Sequence, residues 1–157
     1  MTKHFKKAAW CVALFSGLTL AEAQALNLDP GQYYELRPVT NPELAIDNSG
    51  TSDNSSTVGL GRAGTDAPSQ AWTFLPVDAA NNIYNIASPL TGRSFDNCGQ
   101  PDEQIQVIQW ATEMQNPNQM WTLTEVGDNE IIITSTGHNI QLGLQDAPQY
   151  GSPVYQM

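Results

Sequence analysis

Acidic residues outnumber lysine and arginine sixteen to six in this 157-residue chain, so carboxylates are the first place to look for chemistry. Asp102-Glu103 and Asp128-x-Glu130 have the residue types of a two-carboxylate hydrolase of glycosidic bonds. Loop acids in so acidic a chain form such pairs by chance, and no catalytic role is expected for them. The Asp-x-Asp-x-Asp-Gly spacing of a calcium loop is absent. Histidine is limited to His4 and His138, and cysteine to Cys11 and Cys98. That is too little for a His/Cys metal cluster or a supported Cys–His pair. The expectation is a non-enzyme with no cofactor and no metal.

The basic residues set further limits. Lys3, Lys6 and Lys7 open the chain, no lysine follows them, and only Arg37, Arg62 and Arg93 remain. A chain without a basic patch does not bind nucleic acid through its phosphates, and an anionic membrane surface is an equally poor partner. The lysines belong to a leader pattern. MTKHFKK is followed by the apolar run Ala8–Leu20 and by the small-x-small sites Ala21-Glu22-Ala23 and Ala23-Gln24-Ala25. This reads as a signal peptide, residues 1–23, cleaved after Ala23 or Ala25, rather than as an uncleaved anchor. The expected product is secreted, extracellular or periplasmic, with no membrane contact after cleavage. It keeps three basic and fifteen acidic side chains, with His138 and Cys98 as its only histidine and cysteine.

The elements that position side chains follow from an internal repeat. Leu44–Val77 aligns without gaps onto Arg93–Val126 with ten identities, among them Asp47/Asp96, Asn48/Asn97, Val58/Val107, Gln70/Gln119 and Trp72/Trp121. A third copy starts at Ile131-Ile132-Ile133, and its Val154-Tyr155-Gln156-Met157 falls on Val107-Ile108-Gln109-Trp110. The units run about 31–79, 80–127 and 128–157. Each consists of short apolar runs broken by Gly, Pro, Asn, Asp and Ser, and no stretch keeps a helical period. Strands are expected in the first unit at Tyr33–Arg37, Ala45–Ile46, Val58–Leu60 and Ala71–Leu75. Residues i and i+2 share a strand face. The Trp of Gln70-Ala71-Trp72 and of Gln119-Met120-Trp121 can therefore fill the core while the Gln amide bonds turn backbone.

A Gln-x-Trp closing each of the two complete units of 40–50 residues, with an Asp turn earlier in the unit, resembles the ricin B-type lectin family, from Gly31 to Met157. The resemblance implies an all-β fold, a β-trefoil of three four-stranded units, and binding of carbohydrate, a glycan or polysaccharide. It also implies pockets made of the turn Asp, an aromatic platform and an Asn just before the Gln-x-Trp. The second unit has all the parts: Asp96, Trp110, Asn118 and the adjoining Gln119. The chemistry is consistent with this. A carboxylate accepts from two adjacent hydroxyls, an amide donates and accepts, and an indole face packs on a pyranose. If Val107 points into the core, alternation turns Trp110 outward. Each residue also has a plain structural reading: Asp96 and Asn118 as turn residues, Trp110 as core.

The other units are weaker. The first keeps Asp47, but Gly61 replaces the aromatic and Ser69 the Asn; the third offers Gln141 or Gly143 at the Asp position and Met157 at the aromatic one. With its last strand missing, the third unit is expected to be truncated or open, or completed by an oligomer or other partner, and its neighbours to be exposed edges. Cys98, without a partner, is expected to be a buried free thiol. Asn54-Ser55-Ser56 is an N-glycosylation sequon. The competing functional reading is a sugar-inactive trefoil acting through protein contacts, as an inhibitor or accessory subunit.

Overall fold

The computed structural model describes residues 9–12, 26, 28–127 and 129–157. The rest of the expected leader lies outside the described residues. Four strands form the first unit: β2 (Glu35–Pro38), β3 (Leu44–Asp47), β4 (Gly59–Arg62) and β5 (Thr73–Asp78). The second contains β6 (Ile83–Ser88), β7 (Arg93–Asp96), β8 (Ile105–Gln106) with β9 (Ile108–Ala111), and β10 (Trp121–Gly127). The third contributes β11 (Glu130–Ser135), β12 (Leu142–Gly143) and β13 (Tyr155–Gln156). The hairpins β3–β4, β7–β9 and β12–β13 repeat one antiparallel pairing, and the fold is a β-trefoil.

The pseudo-threefold axis is visible in the backbone. Val58 N–H donates to Val107 O (3.3 Å), Val107 N–H to Val154 O (2.9 Å) and Val154 N–H to Val58 O (3.0 Å), a closed ring with one member per unit. All three valines are buried, so their peptide groups need protein partners. Trp72 and Trp121 occupy equivalent places. Each is fully buried, and each indole N–H reaches the carbonyl one residue before the turn Asp: Ile46 O at 2.9 Å and Phe95 O at 3.2 Å. Phe95 packs edge-on between them, with centroids 4.5 Å from Trp72 and 6.4 Å from Trp121.

Strand boundaries shift in one instructive place. The strand expected from Ala71 begins at Thr73, because Pro68–Gln70 winds into a short 3-10 turn that Ala71 closes. Trp72 is tied to Tyr34 by a bridge instead. The core also starts earlier than the repeat: Leu26 and Leu28 are buried, and Leu26 N–H donates to Asn82 Oδ1.

The third unit differs from expectation. β10 lies between the first strands of its own and the following unit, β6 and β11. The corresponding place between β11 and β2 holds β1 (Ala9–Val12), paired in parallel with both. The edges expected to be bare are covered there by a segment of the expected leader. Beside them, Pro38, Ile46, Leu60, Leu142, Leu144 and Val154 line an apolar cavity of about 50 Å³. Register also resolves the Asp position of this unit. Asp47 pairs with Gly59 and Asp96 with Ile108, and the residue paired with Tyr155 is Gly143.

Candidate functional site

The second unit's turn begins where β7 ends. Asp96 Oδ1 accepts from Cys98 N–H at 2.7 Å and Asn97 Oδ1 from Gly99 N–H at 3.0 Å. Cys98 and Gly99 both have φ near +60°, a backbone state that an Asx turn supports and that glycine adopts without strain. The first unit builds the same turn: Ser49 N–H to Asp47 Oδ1 at 2.6 Å and Gly50 N–H to Asn48 Oδ1 at 2.9 Å. In both units, the structural reading of the aspartate therefore holds for one of its oxygens.

The second oxygen is held by the glutamine of Gln-x-Trp. Gln119 Nε2 donates to Asp96 Oδ2 at 3.1 Å and to Ala111 O at 3.0 Å, while its Oε1 accepts from Glu113 N–H at 2.9 Å. Gln70 repeats this with Asp47 Oδ2 (2.9 Å) and Arg62 O (2.8 Å). The glutamine is a strut between the Asp turn and the end of the following hairpin.

Trp110 lies on β9 opposite Ser94, and Asp96 lies opposite Ile108. Directly paired residues share a face, as do residues i and i+2, so Trp110 and Asp96 are on one face. Val107 is in the core and Trp110 is 37 % exposed, the outward placement that alternation demands. Asn118 sits in the 3-10 turn Pro117–Asn118–Gln119, where Asn116 Oδ1 accepts from its N–H. Its side-chain amide lies against Gly99, 3.2 Å from where a Cβ would be. Asp96 and Trp110 thus share a face of the β7–β9 hairpin, Gln119 is bonded to Asp96, and Asn118 lies against the Asp96 turn. Asp96 itself is 3 % exposed, a nearly closed carboxylate.

The first unit departs from this at Gly61. A Cβ there would fall well inside contact distance of Asp47 Oδ2 and 2.7 Å from Gln70 Nε2. Asp47 leans over the bare glycine and is more open to solvent than Asp96. A cavity of about 430 Å³ spreads in front of it, lined by Asp47, Gly61, Arg62, Thr65, Gln70 and Tyr150. Tyr150, 74 % exposed, belongs to the third unit and carries no motif. Its only signal in the sequence is an aromatic alone in the polar loop Ala147-Pro148-Gln149-Tyr150-Gly151.

Cys98 is exposed, not buried as expected; it stands in the tight Asp96 turn with a positive φ. Partial desolvation, and after it the Asp96 carboxylate, hold the thiol above its ordinary pKa. The sequon loop is a structural partner of β9: Asn54 Oδ1 accepts from Ala111 N–H and from Arg93 Nε. Among the described residues, no three His, Cys, Asp or Glu side chains are grouped to hold a metal ion.

Known structures share this architecture. The designed threefold-symmetric protein ThreeFoil superposes with a TM-score of 0.70 at 20 % identity, over 78 % of this chain and 86 % of that one. The Rhizoctonia solani agglutinin gives 0.67 at 15 %, over 83 % and 88 %. The Polyporus squamosus lectin, solved with the epitope Neu5Aca2-6Galb1-4GlcNAc, gives 0.65 at 18 %, and here the match covers 78 % of this chain but 42 % of that one. No curated protein sequence matches. The family model for ricin-type β-trefoil lectin domain-like proteins matches residues 68–157, more than half of the chain. With two Gln-x-Trp struts, two equivalent buried indoles and a threefold backbone ring, the chain belongs to the ricin-type β-trefoil lectin domain-like family.

Proposed function

We propose that this is a secreted, non-catalytic carbohydrate-binding protein whose second unit holds a sugar against Asp96, Trp110, Asn118 and Gln119. The observation that carries the reading is Trp110: a large indole left partly bare on the same face as a turn carboxylate. Burying an indole is worth more than leaving it in water, so an exposed one beside hydrogen-bonding groups suits a ligand with an apolar face and a polar rim. The Asn118 amide, lying against the Asp96 turn, is placed to donate and accept at that rim. Since Asp96 is closed in, small rotamer changes of Trp110 or Asn118 admit the hydroxyls, changes of a size common on binding.

Lectins of the same fold, one of them solved with a sialylated epitope, support a glycan ligand. The family membership supports a binding rather than a catalytic role, and the leader pattern supports export. The test is a glycan array of neutral and acidic oligosaccharides with wild type and Trp110→Ala. Binding by wild type that Trp110→Ala loses while staying folded is the expected result. Wild type binding no glycan removes the reading.

A further inference from the structure

We infer that the slot between β2 and β11 is a docking site for a strand of a partner polypeptide, one that enters antiparallel and carries a tryptophan flanked by basic residues. The inference stands apart from the sugar site. It gives the completion of the third unit a place and a chemistry.

The register identifies the place. Trp121 on β10 pairs with Tyr84 of its own unit and with Ser135 of the next. Trp72 pairs with Tyr34 of its own unit, and the adjoining Thr73 with Ala87 of the next, which puts Trp72 opposite Ser88. On the first strands, Ile131 therefore corresponds to Tyr34 and Tyr84, and Pro38 to Ser88 and Ser135. The residue paired with both Ile131 and Pro38 is Val12. β1 thus has valine at the register where the other two slots carry tryptophan. It also runs parallel to its neighbours, where β5 and β10 run antiparallel to theirs.

The core beside that register is arranged for an indole. Ile46, Phe95 and Leu142 are equivalent, since they pair with Leu60, Gln109 and Gln156. Trp72 donates to Ile46 O and packs on Phe95, and Trp121 donates to Phe95 O. Carried round by one unit, the same pattern sends a third indole to Leu142 O and packs it on Ile46. Both residues line the apolar cavity of about 50 Å³, together with Pro38, Leu60, Leu144 and Val154. An unfilled apolar void forfeits dispersion contacts, and an aromatic ring buried there recovers them. Gln-x-Trp occurs twice in the sequence, against three places for it in the fold.

The partner's charge follows from the rim. Asp146 borders the cavity, Glu130 pairs with Cys11 at the slot, and the chain carries sixteen acidic residues against six lysines and arginines. Lysine or arginine beside an apolar strand speeds docking here and selects it over an acidic segment. A second copy of this chain would bring like charge to the same rim. Backbone pairing to two edges supplies affinity, and the pocket for the indole supplies specificity.

The probe is a synthetic peptide with the sequence of residues 117–127, which contains β10, preceded by two lysines. Its control has alanine in place of the tryptophan. The proteins are the full chain and its Cys11→Pro variant, in which proline removes a ladder donor from β1. The tryptophan peptide should bind Cys11→Pro and raise its melting temperature, bind the full chain more weakly, and weaken with added salt. The alanine control should bind Cys11→Pro about tenfold or more weakly, as for a central aromatic anchor. Leu144→Trp, added to Cys11→Pro to fill the cavity from within, should lose the peptide. Equal binding of the two peptides overturns the inference, whether or not the Leu144→Trp variant folds. No binding to Cys11→Pro overturns it and leaves the slot to residues 9–12. A Cys11→Pro dimer that the peptide does not dissociate gives the slot to a second copy and overturns it as well.

Discussion

Units 1 and 2 build the same turn around Asp47 and Asp96, brace it with the same glutamine, and then part at one strand position, Gly61 against Trp110. The consequences run opposite to what a motif count suggests. The unit with the full set encloses its carboxylate, and the unit with a glycine leaves its carboxylate open before a wide cavity. On the proposed reading, a side chain at this strand position supplies a platform beside the acid. In the first unit, where glycine stands, the cavity before the acid is lined instead by Arg62, Thr65 and Tyr150 among others.

The largest expected effect separates scaffold from site. Trp121→Ala opens a core cavity and should cost about 3–5 kcal/mol, and its Trp72 counterpart should behave alike. Trp110→Ala should leave the melting temperature nearly unchanged. Equal losses at Trp110 and Trp121 in thermal melts would make Trp110 core and erase the distinction between platform and strut.

Next is Asp96→Ala. Removing an ionised acceptor from sugar hydroxyls should weaken binding by about 1.5–3 kcal/mol, read by titration with an array-selected glycan. Folding should suffer less, because Gln119 retains Ala111 O and Glu113 N–H.

Converting one unit toward the other sharpens the contrast. Gly61→Trp should destabilise by about 1–3 kcal/mol as Asp47 is driven off Gln70. Trp110→Gly should stay folded while losing the second-unit platform. Denaturant unfolding of the pair tests this: a harmless Gly61→Trp would mean that Asp47 moves freely and that the units differ only by history.

The smallest effect concerns Cys98. With its pKa raised by desolvation and by Asp96, its thiolate fraction at neutral pH is below that of an ordinary cysteine, and reactivity should emerge only at higher pH. Alkylation rates against pH should show this, and Asp96→Asn should shift the profile toward lower pH by removing the like charge. An unshifted profile would separate the thiol from the turn carboxylate.

Much of the scaffold was legible in the sequence, because the features that define it are periodic. The 49-residue offset between Trp72 and Trp121 placed both indoles in equivalent sites, and strand alternation turned Trp110 outward from Val107. What escaped depends on contacts between units. Nothing local says that Tyr150 lines a cavity with Gly61, since the two segments are joined by backbone bonds between Leu60 and the Gly151–Ser152 segment. Residue type alone favours burial of Cys98, whereas its place in the Asp96 turn leaves it exposed. Residues 9–12 read as leader by composition, and hydropathy does not report that their backbone can also satisfy β2 and β11.

The ring of bonds through Val58, Val107 and Val154 has a consequence for how the molecule comes apart. In a linear array of repeats, an end unit can fray while the rest persists. Here each unit both donates to one neighbour and accepts from the other, so detaching any one strands two buried peptide groups at once. Partial opening at the axis is therefore as costly as losing a core contact in two places. The ring therefore ties the three units together at the axis, although the sequence is written three times over.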